Sequence, residues 1–83
     1  MSDIIRVGQI WREVDPRAVR HVRVLKIGEG RRSVLIRTVY RSGDGSRLSP
    51  WQWDFTRGSR TSWCDRERFN GKRGGYALFE EAP

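Results

Sequence analysis

The side chain best suited to nucleophilic chemistry is Cys64, which is followed at once by Asp65; the one histidine, His21, lies far upstream. A thiol becomes a useful nucleophile only with a base within hydrogen-bond reach. A lone cysteine after a tryptophan in a β-type run reads instead as a small buried apolar residue. One Cys and one His cannot supply the three or four ligands of a common zinc site, and a single Cys makes no internal disulfide. Asp15, Asp44, Asp54 and Asp65 stand singly in turns, without paired-carboxylate or metal-loop spacing. The expectation is a protein that is not an enzyme and uses no metal or cofactor.

Binding chemistry is better represented. Lys+Arg total 17 against 10 Asp+Glu, a formal charge of +7. All but Lys26 and Lys72 of these cations are Arg, the planar, bidentate cation suited to phosphates, carboxylates and aromatic faces. A GC-rich genome would also raise the Arg share; the net charge favours polyanions in either case. Between Arg17 and Arg41 there are eight cations against Glu29 alone, and between Arg57 and Arg73 six against Asp65 and Glu67. If Arg20, His21 and Arg23 sit on or near the outer face of the hairpin with Arg37 or Arg41 opposite, they make a positive stripe suited to phosphates, and Arg31 and Arg32 are further candidate contacts. The bland alternative is a solvated face.

A second constellation is aromatic. Trp51, Trp53 and Phe55 alternate, so on a strand they share one face. Exposed beside Arg47 and Arg57, they suit base stacking or a protein hot spot; buried, they are core. Trp11 and Trp63 are assigned to the core. A third constellation is the loop Asn70–Gly75, whose glycines can present N–H groups to an anion beside Lys72 and Arg73. It lacks Walker spacing and reads equally as a turn.

The elements that must position these groups read as β. Val7–Trp11 is a short strand bent at Gly8, and Asp15-Pro16-Arg17 is a turn. Ala18–Ile27 alternates, Gly28-Glu29-Gly30 turns, and Ser33–Tyr40 is the densest run of β-formers, so the pair predicts a hairpin. Ser42–Ser46 reads as a flexible loop, and Gly58-Ser59 breaks the aromatic segment. Arg60–Trp63 is a short strand. Asp65 is placed to cap one helical turn over Arg66–Phe69, with Asn70-Gly71 as a left-handed stop. Gly74-Gly75 is a turn, and Tyr76–Phe79 a closing strand. No window carries an amphipathic helix. Five or six short antiparallel strands in a chain of this length predict an all-β, small curled sheet or barrel of SH3-like type, with an OB-type barrel as the alternative.

The strings VGQIWREVDPR (Val7–Arg17), VRVLKI (Val22–Ile27) and RERFNGKRGGYALFE (Arg66–Glu80) resemble a pattern of small bacterial and bacteriophage SH3-like β-barrel proteins. There a G-Q-x-W strand leads to a D-P-R turn and a basic strand, and an R-F…G-Y-x-L strand closes the chain. The resemblance touches about half the chain and implies a compact barrel, often phage-borne, with no catalytic residues carried over. Residues 42–57 stand as a loop or insertion within a single domain over 1–83.

No apolar run approaches the ~18 residues of a membrane helix, and the start lacks a secretory signal. A cytoplasmic protein, a monomer or weak homodimer paired through an edge strand, is expected. The favoured function is nucleic-acid binding through Arg20, Arg23, Arg31, Arg32, Arg37, Arg41, Arg57, Lys72 and Arg73, with stacking on Trp51 and Trp53. The alternative is a phage-encoded, anti-CRISPR-type inhibitor that sits on a nucleic-acid-handling complex of the host. A phage structural or connector piece is a third reading.

Overall fold

The computed structural model describes residues 5–17, 20–57 and 60–82. Six strands form one curled antiparallel sheet: β1 (Ile10–Glu13), β2 (His21–Ile27), β3 (Arg32–Ser42), β4 (Gln52–Asp54), β5 (Thr61–Asp65) and β6 (Tyr76–Glu80). A 3-10 turn spans Arg66–Arg68. The strand order is β4-β3-β2-β1-β6, with β5 also paired to β3. The all-β expectation is therefore met, and so is the β2–β3 hairpin.

β3 is longer than its β-former run. Its first half pairs with β5, from Arg32↔Asp65 to Arg37↔Thr61, and its last residues pair with β4, from Tyr40↔Asp54 to Ser42↔Gln52. Its other edge is taken by β2. Alternation then separates two faces. Val22, Val24 and Ile36 point to the main core, which Trp11, Val34, Cys64, Phe69 and Tyr76 complete. The rings of Trp11 and Phe69 meet edge to face at 5.0 Å, and Phe69 lies 5.1 Å from Tyr76. Cys64 is buried as expected, and burial pushes its thiol pKa up.

Two expectations about tryptophan divide here. Trp11 is fully buried, but Trp63 is 47% exposed. The reason is the period of two: with Cys64 facing the core, its neighbour Trp63 must face out, beside Leu35. The first strand also starts later than its composition suggests. Val7 and Gly8 form a turn, and the strand begins at Ile10.

The local punctuation is partly as read. Gly71 has the left-handed φ of 72° expected of a stop. Asp65, however, makes no capping hydrogen bond; its carboxylate faces Arg32 at 3.8 Å. The Ser42–Ser46 segment is hydrogen-bonded rather than open. Asp44 and Gly45 donate N–H to the Ser49 carbonyl, and Ser46 donates to the Asp44 carboxylate. The Gly58-Ser59 break and the start of the Ala18–Ile27 strand lie outside the described residues.

Trp11 brings a polar group into the core, and a buried indole N–H needs an acceptor. Gln9, 1% exposed, supplies it: its Oε1 accepts from Trp11 Nε1 at 3.1 Å and from the Arg6 N–H at 2.7 Å. Its Nε2 donates to Glu81 at 2.8 Å, which links both ends of the described chain to the core. Gln9→Leu leaves the indole N–H without its acceptor. It is expected to cost about 1–3 kcal/mol in urea unfolding, whereas Gln52→Leu on the surface stays within about 0.5 kcal/mol.

Candidate nucleic-acid interface

The face of the sheet opposite the main core carries Arg23, Arg37, Val39 and Arg41. Arg23 and Arg37 are set there by alternation with Val22, Val24 and Ile36, and Val39 and Arg41 continue the same period along β3. Across the strands, Arg23 stands opposite Arg37, His21 opposite Val39 and Trp53 opposite Arg41. β4 and β6 end the strand path at opposite sides, yet their side chains meet over this face. Trp53 and Phe79 are 6.0 Å apart, edge to face, and the Trp53 indole N–H donates to the Glu80 carboxylate. Beneath them His21 is buried between the two rings, 5.3 Å from Trp53 and 4.6 Å from Phe79.

Arg41 lies over this aromatic group. Its guanidinium carbon is 4.5 Å from the Trp51 ring centre, 5.5 Å from Phe79 and 5.7 Å from Trp53. The rings confine the cation without neutralising it, because a π-face offers a quadrupole and no charge. Trp51 is fixed from another side by Gly45, whose φ is +81°. A Cβ there would come within 2.5 Å of the indole nitrogen, so a side chain at that position would displace the ring. Farther along, the Arg23 guanidinium covers the Phe55 ring at 4.4 Å. Arg41, Trp51, Gln52, Trp53, Phe79 and Glu80 enclose a shallow hollow of about 220 Å³. That is below the range of enclosed small-molecule sites and admits one flat group.

The structure thus joins five of the expected site residues, Arg23, Arg37, Arg41, Trp51 and Trp53, on one face. It disperses the others. Arg20 donates to the Thr38 hydroxyl at 3.1 Å on the core side, so the expected grouping of Arg20, His21 and Arg23 on one outer face does not form. Arg31 borders a separate hollow with Arg66 and Glu67. Arg32 meets Asp65. Arg57 covers Tyr40, whose neighbour Arg41 takes the other face. Lys72 and Arg73 lie in the Asn70–Gly75 loop, where the N–H groups of Gly71, Lys72, Gly74 and Gly75 already donate to Tyr76, Asn70, Val14 and Lys72. Those four amides are turned to the protein, not to an anion.

Phe79, Glu80 and the buried position of His21 were not singled out from sequence. Phe79 was in principle legible: Tyr76 and Leu78 face the core, so the residue between β6's apolar pair and Glu80 must face the other way. That it meets Trp53 depends on the curl of the sheet, which no local pattern encodes.

Several acids are engaged by neutral donors rather than by arginines. Asp15, Asp44 and Asp54 accept the backbone N–H two residues on, in Arg17, Ser46 and Thr56. Glu81 accepts from Gln9 and Glu80 from Trp53. These carboxylates therefore serve turns and neutral donors.

No family model, curated protein or solved structure matched the chain in comparison. Among the described residues, no helix is long and apolar enough to cross a membrane.

His21 gives this face a pH signature. Burial, reinforced by Arg41 and then Arg12, holds its pKa below the ordinary 6.5. The unfolded chain then binds the proton first, so stability falls as pH drops through about 6.5 and levels off once the folded imidazole also protonates. Asp44, Asp54 and Glu81, pulled down by hydrogen bonds, titrate below this window. A thermal melting series from about pH 7.5 to 5.5 should show a falling midpoint in the natural chain and a flat one in His21→Phe.

Proposed function

We propose that the protein is a non-enzymatic, sequence-tolerant nucleic-acid-binding module whose contact face is that of Arg23, Arg37, Arg41, Trp51 and Trp53. The observation that carries this reading is the Arg41–Trp51 pair. A guanidinium held by aromatic rings sits on a surface where Trp51 is still 54% exposed. Phosphate contacts need cations left unneutralised, and sequence-tolerant stacking needs an accessible π-face. Both occur in one place. The guanidinium plane itself offers a surface for a base, as Arg does in single-strand recognition.

A second reading has one observation in its favour. Leu48, 98% exposed at the tip of the loop that abuts Trp51, suits a protein partner, in line with an inhibitor of a nucleic-acid-handling complex. Salt distinguishes the two, since apolar anchoring is not screened and phosphate contact is.

Fluorescence anisotropy with a labelled oligothymidylate, at about 50 and about 200 mM salt, tests the proposal. With about four phosphate contacts, log K should fall against log salt with a slope near −3. Arg41→Gln should reduce the magnitude of that slope by roughly 1, and Trp51→Ala should cost about 1–3 kcal/mol of binding. Tight binding of neither single strand nor duplex at the lower salt would overturn the reading.

A further inference from the structure

Resting on that reading, we propose that the occupant is a single strand laid lengthwise along β3, and that Trp63 is its second stacking station. The outward positions of β3 are Leu35, Arg37, Val39 and Arg41, and Trp63 stands opposite Leu35 at one end as Trp53 stands opposite Arg41 at the other. Six residues of extended chain cover about 20 Å, a length that takes roughly four to six nucleotides.

That face carries three exposed rings, two of them covered by an arginine. Trp63, 47% exposed, borders an open hollow of about 490 Å³ with Gly28, Glu29 and Arg32. Phe55, 39% exposed, lies under Arg23, and Trp51, 54% exposed, lies under Arg41. Trp63 stays half-exposed on the face that carries the Arg23–Phe55 and Arg41–Trp51 pairs. The edge of the Trp63 ring also lies beside Gly28, its carbons 3.5–3.6 Å from where a Gly28 Cβ would be. Spaced, half-exposed rings, two of them paired with an arginine, suit an unpaired strand, whose bases can stack while its phosphates meet cations. A duplex hides its bases and would engage the arginines alone.

The test is a length series of oligothymidylates from about 2 to about 10 nucleotides, bound to the natural chain, Trp63→Thr and Trp63→Phe at fixed low salt. Thermal melting confirms that each variant is folded. Affinity in the natural chain should climb until about four to six nucleotides and then flatten. Trp63→Thr should match it on the shortest strands and lose roughly five-fold or more on the longer ones, while Trp63→Phe keeps most of the gain. A plateau already at the shortest strands, or a length profile that Trp63→Thr leaves unchanged, would overturn the inference while leaving nucleic-acid binding at Arg41 intact. A duplex bound as tightly as the single strand would overturn it equally. Absence of binding at every length would remove the underlying reading along with it.

Discussion

β3 must satisfy hydrogen bonds along both edges over most of its length. β2 takes one edge, while β5 and then β4 take the other in succession. A strand shared in this way cannot slip by one residue without turning every side chain of three neighbours to the wrong face. The same register that sends Val22, Val24 and Ile36 inward therefore sends Arg23, Arg37 and Arg41 outward. Core and candidate site are two readings of one pairing pattern. The change of partner from β5 to β4 also lets the sheet bend where Arg41 leaves it, and brings Trp53 over to Phe79.

The outer face is not merely solvated. Ile10, His21 and Val39 are nearly inaccessible although they lie outside the main core cluster, and Trp53 and Phe79 pack on His21. A small domain gains from this second apolar layer, since one core of this size contributes only a few kcal/mol. The layer imposes a condition on charge. His21 must remain neutral among Arg12, Arg41 and the rings, and its folding cost appears when it is asked to ionise. Placing arginines around a buried imidazole is unfavourable for pH tolerance, and it is understandable if the arginines answer to an external anion.

The class of fold and most strand positions were legible because they rest on local signals: β-former density at Ser33–Tyr40, alternation in His21–Ile27, glycine punctuation at Gly30 and Gly71. The alternation of Trp51 and Trp53 is likewise consistent with their sharing Arg41. The meeting of Trp53 with Phe79 depends on three-dimensional curl, whereas the placements of Trp63 and Arg20 follow from the same period of two once the faces of their neighbours are known. Trp63 was placed in the core by its size alone, although Cys64 beside it could take the inward position. Arg20 was grouped with Arg23 by adjacency, although a hydroxyl at Thr38 draws it to the other side. Against the anion-nest reading of Asn70–Gly75 stand four of its amides, two bonded within the loop and two to Val14 and Tyr76.

The remaining step concerns rigidity. A binding face built on loops alone would have to order itself on contact and lose affinity to that ordering. Here the loop over residues 43–50 is closed by its own hydrogen bonds and pressed against Trp51 through a glycine that admits no side chain. Trp51 in turn confines Arg41, and Arg41 is anchored in β3. The chain of constraint runs from backbone pairing to a guanidinium on the surface through contacts that exist before any ligand arrives. A cation so placed can meet a phosphate without first giving up an acidic neighbour, because Glu80, the described acid that borders the hollow, is held by the Trp53 indole. Removing that indole would release Glu80 towards Arg41. The contribution of Trp53 to anion binding is therefore as much the holding of a carboxylate as the offering of a ring.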